Sequence, residues 1–304
     1  MGTLLQSPDN ATLRAIKLGA IVGCNQKSGS DLLNCLQSID AEQIQQGANS
    51  TMTYPAFVFD VAVINQLPQR YFETGDFKKC NLLIGYNNIE EFFLASSEIS
   101  DELIQSLLYG NMTALNLALQ LRLGVNNSTA DQIIQIYVPT NKQNDSTINY
   151  YIYFNMMITD FKYKCPTYQL AEYVTRYNSS VYAYMYSQGN SVFKSKFGMP
   201  PVDGAVHTEE IPAVFGDYLK ISSQFSFTND ERVFSEQLVR YWGNFITMSK
   251  PSLSNEWPSY MQTSSNLFSR NLYNLRGNSI RNTNIFTYDS VCQFWNSLVL
   301  SNYS

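Results

Sequence analysis

The chain contains a single histidine, His207, among its 304 residues. One imidazole and no closely spaced cysteine pair leave no zinc site, and a bound metal is not expected. No Gly-x-Ser-x-Gly occurs: Gly189-Asn-Ser191-Val-Phe193 and Gly277-Asn-Ser279-Ile-Arg281 both lack the closing glycine. The sharp turn that exposes a nucleophilic serine is therefore not encoded here. There is also no glycine-rich phosphate loop, so no nucleotide cofactor, or any other cofactor, is expected. No run of eighteen apolar residues is present, because Asp160, Lys162 and Lys164 interrupt the aromatic tract that starts at Ile148; no transmembrane segment is expected. Positive charge is scarce. The net charge of -5 and pI near 5.0 argue against a nucleic-acid partner, which favours a basic face. The start, Met1-Gly-Thr-Leu-Leu-Gln-Ser-Pro8, has no basic region followed by an apolar core and so does not read as a secretory signal.

What is present describes a folded chain. Hydrophobic residues make up 44% and charged residues 15%, a balance that can bury a large core. Eight Asn-x-Ser/Thr sequons, at Asn10, Asn49, Asn111, Asn126, Asn127, Asn144, Asn178 and Asn302, are candidate glycosylation sites. Five cysteines (Cys24, Cys35, Cys80, Cys165, Cys292) fit two disulfides and one free thiol. Sequons and disulfides point to the secretory pathway or the extracellular space. A secreted body without a secretion signal reads as a fragment of a longer protein.

Apolar spacing predicts helices over 11–22, 31–38 and 41–46, with Cys24 and Cys35 bounding a loop that a disulfide could close. Residues 56–64 read as buried extended chain. Asn81 to Tyr86 and Ser180 to Tyr186 carry the apolar and aromatic content of interior strands. Helical patterns occupy 90–96 and 99–138, and a long helix covers 147–177, with Pro166 expected to kink it or start a new segment. Residues 187–206 read as loop and 209–219 as a short helix. A longer helix covers 229–249, with Val233, Phe234, Leu238, Tyr241, Trp242 and Phe245 on one face. A hairpin within 267–287 and a closing helix over 288–300 complete an α/β pattern whose sheet is small for its length. His207 lies at a loop-to-helix junction, in Asp203-Gly-Ala-Val-His207-Thr-Glu-Glu210-Ile-Pro-Ala-Val-Phe-Gly216.

That segment resembles the surroundings of the active histidine in type-B carboxylesterases, the family that includes the cholinesterases. Further segments match in family order. Gly23-Cys24 with Leu33-Asn-Cys35-Leu-Gln-Ser-Ile-Asp-Ala-Glu42 is similar to a small disulfide loop. Gly75-Asp-Phe-Lys-Lys79 with Leu82-Leu-Ile-Gly85 resembles the approach to the acid. Cys165-Pro-Thr-Tyr-Gln-Leu-Ala171 and Cys292-Gln-Phe-Trp-Asn-Ser297 resemble the two halves of a long-range disulfide. Val239-Arg-Tyr-Trp-Gly-Asn-Phe245 with Trp257-Pro258 is a further match. The resemblance implies an α/β-hydrolase fold in its C-terminal portion, with a reduced central sheet and many surrounding helices, residues 1–304 forming one carboxylesterase domain that lacks the serine elbow and the oxyanion loop.

The family's acid follows an apolar strand, a Gly and four residues. Gly85-Tyr-Asn-Asn-Ile-Glu90 meets that count, which makes Glu90 the acid; Glu91 stands where the family has Gly, and a slip of one residue would place the acid there. By the same resemblance His207 is the base, Cys24–Cys35 and Cys165–Cys292 are disulfides, and Cys80 is a free thiol expected to pack as a small apolar residue. Thr208, Glu91 and Val61 replace glycines that are frequent in the family. Phe57 and Phe59 line either an acyl pocket or, more simply, the core. The implied function is hydrolysis of small carboxylic esters through an acyl-serine, the serine lying outside this sequence and this chain alone being inert. The alternative is a non-catalytic, partner-binding adhesion protein of the same fold. A homodimer and the missing N-terminal half are the partners the resemblance allows.

Overall fold

The computed structural model describes residues 5–25, 29–50, 57–58, 64–66, 68–94, 99–190, 192, 203–220, 227–254, 256–264, 267–277, 281–283 and 290–301. The chain divides into two compact units, Met1–Phe77 and Lys78–Ser304.

Among the described residues of the first unit a short parallel pair, β1 (Leu5–Gln6) and β2 (Phe57–Val58), accompanies four helices: α1 (Pro8–Ile21), α2 (Gly29–Gln37), α3 (Ala41–Ser50) and α4 (Pro68–Thr74). Ser7 caps α1 by accepting the N–H of Asn10, and Pro8 opens the helix at a position where no N–H is needed. Val22, Cys24 and Leu32 form a small core that the Cys24–Cys35 disulfide closes. Phe57 corrects the expectation of buried extended chain, since it is 65% exposed. Phe59, Asp60 and Val61 lie outside the described residues.

The second unit is built on a sheet of order β3-β4-β7-β8 among the described residues. Its first three strands, β3 (Leu82–Asn87), β4 (Val181–Tyr186) and β7 (Leu272–Leu275), are parallel, and β8 (Arg281–Thr283) returns antiparallel to β7. The β7–β8 pair is the hairpin expected within 267–287, and a separate antiparallel pair, β5 (Met261–Ser264) with β6 (Leu267–Arg270), precedes it. Parallel strands are covered on both faces, which is why β3 and β4 read as near-continuous apolar runs. Gly85 faces Tyr184 across the β3–β4 ladder, and a Cβ there would come within 2.4 Å of the Tyr184 ring. Only glycine permits that approach.

Helices α5 (Glu91–Leu94), α6 (Asp101–Leu108), α7 (Met112–Leu123), α8 (Asn127–Tyr137) and α9 (Tyr150–Thr159) follow β3. Asn111 and Asn126 cap α7 and α8 with their side-chain oxygens. α9 passes through a wide turn of π-helix, Asp160–Lys164, into α10 (Cys165–Arg176). Pro166 is the local cause: it offers no N–H to the helix and its ring crowds the preceding turn, so the N–H of Cys165 bonds back five residues to the carbonyl of Asp160. Beyond β4 come the single-turn helix α11 (Ile211–Val214), the long α12 (Asn229–Met248) and α13 (Ser290–Ser301). The Thr228–Glu231 capping box starts α12.

Phe234, Leu238 and Tyr241 of α12 pack with Tyr186, Trp257, Tyr273 and Leu275 into the main core. Val233, expected on that buried face, is exposed. Cys80 is a free thiol, but it is exposed and not packed, because it lies in the loop before β3 and not on the strand. No helix among the described residues is long and apolar enough to cross a membrane.

Candidate active site

Ligand sites of open parallel sheets form at the carboxyl ends of the strands. β3 and β4 end together here, at Asn87 and Tyr186. The turn after β3 is tied to β4 by the Asn88 N–H, which donates to the carbonyl of Tyr186 at 3.0 Å. It is also stitched to the loop that carries His207. The Ile89 N–H donates to the Ala205 carbonyl at 3.1 Å, the Ala205 N–H to Asn88 Oδ1 at 2.8 Å, and Asn87 Nδ2 to the Val206 carbonyl at 2.7 Å. These three bonds join segments more than a hundred residues apart in sequence and bring Glu90 and His207 together.

Nδ1 of His207 lies 2.7 Å from Oε2 of Glu90. The other carboxylate oxygen, Oε1, accepts the backbone N–H of Asn87 at 2.7 Å. Glu90 is buried, and a buried carboxylate needs such partners on both oxygens. The His207 side chain is 38% exposed, so its ring is open to a reactant while Nδ1 faces the acid. The bond from Glu90 holds the His207 pKa above the ordinary 6.5; partial burial opposes this, and the charges of Glu90, Glu210 and Glu91 add to it. Glu210 accepts from Asn87 Nδ2 beside the pair, and burial raises its own pKa.

Glu91, the neighbouring carboxylate, points elsewhere. It is fully buried, with Oε2 3.0 Å from Arg122 Nη2 and Oε1 3.3 Å from Lys162 Nζ. Its carboxylate faces these two cations and not His207. Glu209 is likewise fully buried and accepts the backbone N–H groups of Val206 (2.8 Å) and Asn190, pinning the loop just before His207. Sequence reasoning did not single out Glu209, Asn87 or Asn88; the polar Asn-Asn and Glu-Glu pairs flanking Glu90 and His207 were the signals available.

Thr208 adopts φ +69°, the left-handed conformation that disfavours a branched side chain. This explains locally why a glycine suits the position after the histidine. Its side chain is exposed, so no packing offsets the strain. Thr208→Gly is expected to stabilise the fold by about 1 kcal/mol, a rise of roughly 2–4 °C in Tm for a unit of this size. Thermal unfolding followed by circular dichroism checks it, and a lower Tm would contradict the strain.

The seven sequon asparagines within the described residues, Asn10, Asn49, Asn111, Asn126, Asn127, Asn144 and Asn178, are all exposed. Asn302 lies outside the described residues. Cys24–Cys35 and Cys165–Cys292 are both disulfide-bonded.

The Carboxylesterase family model matches residues 3–295 of the chain. The chain is 25% identical to an acetylcholinesterase of Bungarus fasciatus over 95% of its own length and 48% of that protein's. It is 27% identical to the pyrethroid hydrolase Ces2e of Rattus norvegicus, over 78% of this chain and 41% of the other. A cholinesterase of Mus musculus is 22% identical over 85% of this chain and 44% of its own. The chain thus spans about half the length of the curated relatives it matches.

Proposed function

The chain belongs to the carboxylesterase family, with its α/β-hydrolase fold, and from that membership we propose that it supplies the acid and the base of a serine esterase. The observation that carries the reading is the 2.7 Å contact between His207 Nδ1 and Glu90 Oε2 at the carboxyl end of the sheet. Glu90 fixes the imidazole tautomer and stabilises the imidazolium that forms during reaction. His207 Nε2 takes the proton of a serine hydroxyl as that oxygen attacks the ester carbonyl, then returns it to the departing alcohol. Water repeats the cycle on the acyl-serine. The substrates are small carboxylic esters, in keeping with relatives named as cholinesterases and a pyrethroid hydrolase.

The serine and the oxyanion donors belong to the N-terminal half of such an enzyme, and the 304-residue chain alone, as one C-terminal part of that domain, is inert. Two disulfides and the exposed sequons support a secretory setting for the protein. The upstream coding sequence tests the function: Gly-x-Ser-x-Gly there supports the esterase, and a replaced serine overturns it. For the chain by itself, p-nitrophenyl acetate turnover stays at background; turnover that His207→Ala abolishes would contradict the need for the other half.

A further inference from the structure

Glu209, two residues beyond the candidate base, is a fully buried carboxylate to which the acid–base reading gives no part. Its own N–H donates to the Val206 carbonyl at 3.1 Å, closing Val206–His207–Thr208–Glu209 into a β-turn. The φ of +69° at Thr208, the third residue, is what a type II turn requires, and His207 takes the second position. The Glu209 side chain then folds back over the same turn, and its Oε2 accepts the Val206 N–H at 2.8 Å. One residue thus holds both backbone polar groups of Val206, the residue before His207. The other oxygen, Oε1, accepts the N–H of Asn190, four residues beyond the end of β4. We propose that Glu209 is a positioning residue for His207: it closes the turn that carries the imidazole and moors that turn to the carboxyl end of the sheet. The inference rests on the acid–base reading of Glu90 and His207.

The mooring is as firm as the segment that holds Asn190. Asn190 is buried, and its Nδ2 donates to the hydroxyl of Tyr218, a residue of the main core, at 2.6 Å. The Ser187 N–H donates to the Leu275 carbonyl at 3.0 Å and fixes the same segment to the end of β7. Support therefore runs from β7 and the core through Asn190 and Glu209 to Val206. From the other side, Asn87 at the end of β3 donates its Nδ2 to the Val206 carbonyl and its backbone N–H to Glu90. The 2.7 Å contact between Nδ1 and Oε2 joins two side chains whose backbones are both referred to Val206. Displacing a catalytic group by about 1 Å costs on the order of a hundredfold in rate, so a turn closed by its one backbone bond would serve poorly. A carboxylate suits this place, because it only accepts and has lone pairs on both oxygens for two N–H groups. An amide offers one oxygen and turns its NH2 toward the other donor, which leaves a buried N–H unpaired.

Because His207 is the chain's one histidine, its Cε1 proton gives a single imidazole titration by NMR, readable in the 304-residue chain without any catalysis. Its Nδ1 proton, shared with Glu90, gives a separate downfield resonance that survives exchange with water only while that bond is closed. The charges of Glu90, Glu210 and Glu91 raise the midpoint of the titration. Glu209→Gln keeps the side-chain shape and loses one of the two bonds; Glu209→Ala loses both. The expected result is loss of the Nδ1 resonance in Glu209→Ala and its broadening in Glu209→Gln. The proton affinity of His207 falls by about tenfold and about threefold respectively, as the Glu90 bond loosens. Removing a charge without moving the ring would lower the midpoint and leave the Nδ1 resonance as sharp as in the parent. That outcome in the folded variants, or no change in either signal, whatever happens to Tm, would overturn the inference. Should neither variant fold, amide hydrogen exchange in the parent reads the two bonds themselves: slow exchange at Val206 and Asn190 is expected, and exchange as fast as in exposed loops would overturn it. Glu90→Gln separates the two levels. If it abolishes the Nδ1 resonance while the Glu209 variants keep it, only the positioning role fails; if resonance and midpoint both survive Glu90→Gln, the acid–base pair itself is wrong.

Discussion

On the proposed acid–base reading, His207→Ala, made in an esterase that joins this chain to a nucleophile-bearing half, is expected to lower kcat by about a million-fold and to leave KM within a few-fold. The imidazole acts in the transition state and contributes little to ground-state binding, so the loss falls on kcat. Glu90→Gln in the same protein costs about ten-thousand-fold, since an amide can present its N–H to Nδ1 and favour the wrong tautomer. The two variants also differ in their pH profiles. Only the neutral imidazole accepts the serine proton, so the rate rises with pH through the His207 pKa. The Glu90 bond holds that pKa above 6.5, which places the acid limb of kcat/KM above 6.5 in the parent enzyme. Without the Glu90 charge the limb moves to lower pH. Steady-state hydrolysis of p-nitrophenyl acetate across the pH range measures both effects, and a His207→Ala variant that kept a hundredth of the parent's kcat would rule out the imidazole as base.

The strands and the histidine loop were readable because their signals are local. Val181–Tyr186 alternates apolar Val, Ala and Met with Tyr, and Leu82–Asn87 is a compact apolar run, so both strands stand within a residue of their expected bounds. Pro166 announced the break between α9 and α10, although not that the chain would widen into a π turn and not end. What failed was non-local. Glu91 competes with Glu90 for the acid's place in sequence, and the competition is decided by Arg122, thirty-one positions away, and by Lys162, neither of which any spacing rule connects to it. Val233 shares the apolar stripe of α12 yet is exposed, because burial depends on what the sheet and α11 offer to that face. Cys80 is apolar enough to pack, but a backbone that has not yet entered β3 leaves it outside. The positive φ of Thr208 has no sequence signal except the glycine it replaces.

Loss of the Cys165–Cys292 disulfide has the largest expected effect on stability. The bond spans 127 residues and joins the first turn of α10 to the closing helix α13. On the chain-entropy model, opening a loop of that length restores about 5 kcal/mol of conformational freedom to the unfolded chain. The Cys24–Cys35 bond spans 11 residues and returns only about 3 kcal/mol by the same relation. Cys165→Ala/Cys292→Ala is therefore expected to lower the Tm of its unit by roughly 10–20 °C and to cost more unfolding free energy than Cys24→Ala/Cys35→Ala costs in its own unit. The native contacts argue in the same direction. Trp295 of α13 is buried, donates its Nε1–H to the Tyr137 hydroxyl at 2.7 Å and lies 5.0 Å from the ring of Phe161 in the π turn. The disulfide thus clamps a helix against the turn that carries Tyr163, whose ring lies 5.7 Å from the His207 imidazole, so its removal is expected to reach His207 as well as the fold. Urea unfolding of the two double variants measures the stabilities, and the His207 titration in Cys165→Ala/Cys292→Ala measures the coupling. Equal losses from the long and short loops would set the entropic account aside, and an unmoved His207 midpoint in the folded variant would show that the turn keeps its place without the clamp.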